Sequence, residues 1–199
     1  MIMNNNLKIL LIISGGIAAY KSLELIRIFK KNNIKVQVVL TKGGAEFVTP
    51  LSIAALSEEK VYQELFSLKN ETEMGHIQLS RESDLILVAP ASANIIAHAA
   101  AGIANDLATT ILLAANKPII IIGDKGSELD LMIQEFPAIG WFCEADSSEK
   151  LAKLIDSISL QASQEKAYQP RDVIRNKYDY ALIRKDYLRH YIRIKELVL

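Results

Sequence analysis

Gly75-His-Ile-Gln-Leu-Ser-Arg-Glu-Ser-Asp-Leu-Ile-Leu-Val-Ala-Pro-Ala-Ser-Ala-Asn94 holds the decisive transition of this chain. His76 opens a short amphipathic segment. Asp84 then precedes a run, residues 85–89, without a polar side chain. A run so apolar and so short, bounded by turn residues, suits a parallel strand buried on both faces. Pro90 ends it, because proline has no N–H to give to a sheet ladder. Ala91, Ser92, Ala93 and Asn94 follow, and then another apolar, helix-like segment. Strand, tight polar turn and helix is the unit from which open α/β sheets build ligand sites at strand carboxyl ends. Ser92 and Asn94 are expected at the mouth of such a site, where small side chains let a planar ligand approach the backbone.

The same unit recurs towards the N-terminus. Residues 8–13 read as a buried first strand, followed by Ser14-Gly-Gly-Ile-Ala-Ala-Tyr-Lys21. A helix over 23–31 comes next, with Leu25, Ile26 and Phe29 at helical spacing. Glycines between a strand and a helix bring N–H groups close to an anion, a phosphate-binding arrangement. The spacing is neither G-x-G-x-x-G nor a G-K-[ST] loop, which weakens dinucleotide and P-loop readings. A tight turn without a ligand is the competing reading. Asn32-Asn33 breaks the helix, and 35–40 gives strand two. Thr41-Lys-Gly-Gly-Ala-Glu-Phe-Val-Thr-Pro50 is the second strand-to-helix turn. There Thr41 either donates its hydroxyl to a phosphate or caps the helix. Helix continues over 51–56 and ends at 57–60. Residues 61–66 are ambiguous, a short third strand being one reading, and 68–74 form a polar loop.

Downstream, Asn105-Asp106 can cap a helix over 107–115, and Asp106 can also accept from a ligand N–H. Lys117-Pro118 leads into a buried strand, 119–122, and Gly123-Asp-Lys-Gly126 turns the chain. Residues 129–136 read as a short helix and 140–143 as a last edge strand. Ser147-Ser-Glu-Lys150 marks the start of a helix over 151–158. Strands alternating with helices imply an α/β, Rossmann-like, doubly wound parallel sheet in three layers. This unit is expected to span residues 1–160. From Ser163 the composition changes, and 171–199 is rich in Tyr, Arg, Lys, Ile and Leu. Residues 161–199 are expected to form a basic helical extension. Its apolar stripe packs on the domain or another subunit, or it docks an acidic protein partner.

Composition narrows the class of function. With 199 residues, half of them hydrophobic, the chain can bury a real core. Its formal net charge is zero, so bulk electrostatics point to neither nucleic acid nor a membrane surface. A single cysteine, Cys143, leaves no internal disulfide framework and makes the cytoplasm the expected location. The first residues lack a basic n-region, and the apolar run 9–13 is too short for a signal or membrane helix. No metal site is expected.

Several motifs then combine in order. They are Gly15-Gly-Ile-Ala-Ala-Tyr-Lys21, Thr41 with Ala45 and Phe47, His76-Ile-x-Leu79, Asp84, and Ala-Pro-Ala-Ser-Ala-Asn94. Gly102-Ile-Ala-Asn-Asp-Leu107 and Lys117-Pro118 follow. The ordered set, covering residues 7–122, resembles the homo-oligomeric flavin-containing cysteine decarboxylases. Within them it is most similar to the branch that converts phosphopantothenoylcysteine to 4'-phosphopantetheine in coenzyme A biosynthesis. The resemblance implies FMN as cofactor. It places Ser14, Gly15, Gly16, Ile17, Thr41 and Phe47 at the FMN phosphate and ribityl side, and Ala91, Ser92, Ala93 and Asn94 along the isoalloxazine. Asn105 and Asp106 would meet flavin held mainly by a neighbouring subunit of a trimer, or of a dodecamer built from trimers. His76 would be the catalytic histidine, as an imidazole near neutral pKa suits proton movement. His98 and His190 match nothing. The family oxidises a substrate cysteine to a thioaldehyde β to its carboxylate, which acts as an electron sink as carbon dioxide leaves.

The pattern departs from the family after the strand 119–122. A Pro-x-Met-Asn-x-x-Met segment belongs there, whose asparagine grips the substrate carboxylate. Here Gly126 stands roughly at that asparagine. The family's flap, with a cysteine and a Gly-x-Gly-Arg-Met run, is shortened here. Cys143 is either its remnant or a buried structural cysteine. Two functions therefore stay open: an FMN-dependent carboxy-lyase with a rebuilt clamp, or a flavin-binding scaffold subunit that has lost catalysis.

Overall fold

A computed structural model describes residues 7–63, 75–115, 117–135, 140–145 and 147–162. Strand β1 (Lys8–Ile13) lies inside the sheet, and its residues Ile9 to Ile13 are all fully buried. A 3-10 turn (Ile17–Tyr20) leads into α1 (Lys21–Lys31), which Asn32 and left-handed Asn33 end (φ 59°). β2 (Lys35–Leu40) follows, then the short α2 (Lys42–Ala45), α3 (Pro50–Ser57) and β3 (Val61–Tyr62). The expected single helix after β2 is thus two. Thr49 explains the restart: its hydroxyl accepts from the Ser52 N–H (3.1 Å), and Pro50 fills the first helical position, where no N–H is needed.

The chain continues through α4 (Gly75–Glu82), β4 (Leu85–Val88), α5 (Ala93–Ala101), α6 (Leu107–Ala114) and β5 (Ile119–Gly123). It ends in α7 (Glu128–Glu135), β6 (Trp141–Glu144) and α8 (Ser148–Ala162). Helix α8 runs beyond the expected 151–158 at both ends, although its start is as read: Ser147 Oγ accepts from the Lys150 N–H (3.3 Å). Residues 163–199, and with them the expected extension, lie outside the described residues.

The six strands are all parallel, in the order β3-β2-β1-β4-β5-β6. This is the Rossmann order, and the expected α/β three-layer architecture is the observed one. Alternation along the strands sorts the core into two layers. Ile9, Leu11 and Ile13 face Ile26 and Phe29 of α1, Ile53 of α3, and Leu151 and Ile155 of α8. Leu10 and Ile12 face Leu79 of α4, Ile95 and Ile96 of α5, and Ile111 of α6. Each such fully buried Ile or Leu contributes about 1.5–3 kcal/mol relative to exposure. The fold places one feature that function needs. The strand order reverses between β1 and β4, so the turns after them diverge and leave a crevice at the carboxyl edge.

Candidate functional site

The turns after β1, β2, β4 and β5 reach that edge, as does the end of β6. The first and third are tied by one buried hydroxyl. Ser14 Oγ donates to the Pro90 carbonyl (2.7 Å) and accepts from the Ser92 N–H (2.8 Å). Ser14 is 2% exposed, so both bonds are shielded from water. Ser22 repeats the tie from α1, donating to the Ala89 carbonyl (2.7 Å). The Ala89–Pro90 peptide is cis. Ser92 caps α5, accepting from the Ile95 N–H (3.4 Å). Ala91 is half-buried, while Ala93 and Asn94 stand exposed in the first turn of α5, at the mouth of the crevice.

The first and second turns meet backbone against backbone. A β-carbon on Gly15 would lie 3.2 Å from the Gly43 carbonyl carbon. A β-carbon on Gly44 would lie 2.6 Å from the Ile13 carbonyl oxygen, a distance no side chain tolerates. Thr41 caps α2, since its hydroxyl oxygen accepts from the Gly44 N–H (3.0 Å), and the hydroxyl proton stays available to a phosphate. Around this contact the main chain keeps its donors open. The N–H groups of Gly15, Gly16, Ile17, Lys42 and Gly43 find no acceptor among the described residues. Open N–H groups from two touching turns form a concavity suited to an anion. The expected phosphate-side residues Ser14, Gly15, Gly16, Ile17 and Thr41 are therefore brought together. Phe47 follows α2, half exposed, and Ile17 is 78% exposed.

Asp106 caps α6 in a reciprocal box. Its Oδ1 accepts from the Thr109 N–H (2.7 Å), and Thr109 Oγ1 accepts from the Asp106 N–H (3.2 Å). Asn105 and Asp106 are both exposed, with no described ligand-side partner. Asp84, part of the ordered motif set, stands at the other edge of the sheet. There its Oδ2 accepts from the Lys8 N–H (2.9 Å), so its role is to join β1 and β4. His76 lies in the first turn of α4, and its side chain lies outside the described residues.

The fourth turn differs from the others. The Ser127 N–H donates to the Asp124 carbonyl (3.1 Å), with Gly126 left-handed between them (φ 75°). The buried Asp130 accepts from the Gly126 N–H (2.9 Å) and from Gln134 Nε2 (2.8 Å). The Gly126 N–H, with help from Gln134, holds this carboxyl below its ordinary value. Beyond it, Cys143 lies buried in β6, opposite Ile122, and burial pushes its thiol up. Of its two readings, the structural one fits. A buried thiol with a raised pKa is a poor nucleophile.

The sequence profile described as Flavoprotein matches residues 2–134. This chain belongs to that flavoprotein family. Among the family's relatives, the coenzyme A biosynthesis bifunctional protein CoaBC of Haemophilus influenzae is 52% identical over 109 residues. That match takes in 55% of this chain and 27% of the relative, so the chain spans about a quarter of the relative's length. Two solved structures share the fold. The FMN-dependent cysteine decarboxylase SpaF is 19% identical, covering 79% of this chain and 97% of its own, with a TM-score of 0.64. A mutant PPC decarboxylase is 23% identical, covering 80% and 99%, with a TM-score of 0.63.

Sequence reasoning missed three residues that shape the site: Ser22, Gly43 and Gly44. The two glycines carried a readable signal, a pair immediately after a strand and a capping threonine. Ser22 carried none, because a serine in a first helical turn looks the same whether its hydroxyl meets water or a neighbouring strand's carbonyl.

Proposed function

We propose that this chain binds FMN and decarboxylates a cysteinyl carboxylate, phosphopantothenoylcysteine being the foremost substrate. One observation carries the cofactor half: the open N–H groups of the two glycine turns, which fit a phosphate beside a crevice lined by Ala91, Ser92, Ala93 and Asn94. The substrate half rests on the CoaBC relatives and on the names of the structural neighbours. FMN, when bound, supplies the redox chemistry. The chain's own work is to hold the phosphate at Gly15, Gly16 and Gly43, and to present small side chains to the flavin ring. His76 moves the proton, and Asn105 and Asp106 reach a flavin on a neighbouring subunit. The exposed apolar side chains Ile17, Tyr20, Phe47 and Leu51 suit burial in a homo-oligomer, a trimer or a dodecamer. The basic composition beyond residue 162 suits an acidic protein partner, and the lone cysteine suits the reducing cytoplasm.

A second reading, a flavin-binding subunit without turnover, is favoured by the turn after β5. Gly126 has no side chain to grip a carboxylate, and its N–H is already given to Asp130. Anaerobic mixing of FMN-loaded protein with phosphopantothenoylcysteine separates the two. Flavin bleaching and carbon dioxide release support the decarboxylase; bound flavin that never bleaches leaves the subunit reading. In the active case His76→Asn keeps the flavin but lowers turnover about 10²- to 10⁴-fold, the usual worth of general acid–base assistance. Turnover at the wild-type rate removes His76 from the mechanism.

A further inference from the structure

The cations at the carboxyl edge of the sheet differ in what they face. Lys150 pairs with Glu144. Lys125 sits against the carboxylates of Asp130 and Glu144, and Lys21 has a partner of its own. Lys42 is exposed, and it makes no ion pair or side-chain hydrogen bond with any described residue. Even Glu46, one helical turn further on, stays outside ion-pair distance. Yet Lys42 occupies a particular place. It follows the capping Thr41, it precedes Gly43 at the contact with Gly15, and its own N–H is one of the open donors.

We infer that the Lys42 ammonium pairs with the phosphate of the bound flavin and makes this site select FMN over riboflavin. The inference rests on the FMN reading and adds to it a residue and a specificity. FMN and riboflavin differ only in the terminal phosphate, whose charge approaches −2 near neutral pH. Main-chain N–H groups offer partial positive charge to that phosphate but no full counter-charge. An ammonium on a flexible four-carbon stem, without an ion-pair partner among the described residues, supplies it as a point charge. The ribityl chain and the ring are uncharged, so Lys42 has no reason to discriminate between the two flavins except through the phosphate.

Fluorescence titration of the full chain with FMN and with riboflavin tests this. Wild-type protein binds FMN more tightly, and added salt narrows that preference, because an exposed pair is screened. Lys42→Gln loses about three- to tenfold in FMN affinity, the scale of one exposed charge-assisted contact, and keeps its riboflavin affinity. Lys42→Arg retains the FMN preference. If Lys42→Gln keeps the wild-type ratio of FMN to riboflavin affinity, or loses both affinities equally, Lys42 does not read the phosphate. If wild-type protein binds neither flavin, the FMN reading itself fails and this assignment falls with it. The salt dependence of the wild-type preference reads the same charge without any substitution, and a preference indifferent to salt overturns the inference.

Discussion

The turns after β1 and β2 and the turn after β5 end neighbouring parts of one sheet, yet they treat their backbone donors in opposite ways. In the first pair, the N–H groups of Gly15, Gly16, Lys42 and Gly43 meet no acceptor among the described residues, and glycine lets the two turns touch. In the turn after β5, the Ser127 N–H goes to Asp124 and the Gly126 N–H to Asp130. A polar group left unpaired at a protein's edge is available to a ligand, whereas one satisfied internally stiffens the fold. The difference separates a binding edge from a structural one. It coincides with the place where the chain parts from the family pattern, after residue 122.

The most damaging way to break the contrast is to fill the binding edge. Gly44→Ala forces a β-carbon against the Ile13 carbonyl, and overpacking against backbone costs about 3 kcal/mol. Gly43→Ala is the control, because its β-carbon would stand 3.4 Å from the nearest atom, ordinary contact. Urea denaturation is expected to show a large loss for the first and little for the second. Equal losses would mean that the two turns do not pack as described. Next in size is Ser14→Ala. It strands the Ser92 N–H and leaves the Pro90 carbonyl only the residue-14 N–H (3.3 Å), at about 2 kcal/mol for a buried donor left unpaired. Flavin uptake, followed by absorbance, should fall with it, since the first and third turns lose their tie.

The smallest effect sharpens the comparison from the structural edge. Asp130 has its folded pKa lowered beneath the ordinary 3.8, so its stabilising effect is fully present above that value. The contribution is lost as pH falls through the lowered pKa. Asp130→Asn should therefore be less stable than wild type at neutral pH, with the gap closing in acid, while FMN binding is unchanged. A gap that persists in acid would show that the carboxylate's charge is not what holds the turn. Weakened FMN binding would show that the two edges are coupled.

How much of this was legible before the structure depends on the kind of signal. The strands β1, β4 and β5 announce themselves as apolar runs, and Asn32-Asn33, Asp106 and Ser147 mark helix ends by local chemistry that tertiary context did not override. The parallel, doubly wound sheet follows from alternation of strands and helices, whereas the strand order came only with the structure. Long-range contacts were not legible. Nothing in the local sequence says that Ser14 and Ser22 reach across to the end of β4, that Gly44 lies on the Ile13 carbonyl, or that Asp130 folds back on Gly126. Asp84 belongs to the motif set, and its use, joining two strands at the edge away from the crevice, was likewise visible only in the fold.

Cys143 gives the chain a clock of its own. Its sulfur is buried in the edge strand β6, and burial disfavours the thiolate that alkylating reagents need. A thiol-specific dye in excess therefore reacts only when β6 leaves the sheet. The labelling rate then counts openings of that strand, without any engineered cysteine. Edge strands are among the first parts of a sheet to open, so the count reports how often the structural side comes apart while the crevice beside β1 stays closed.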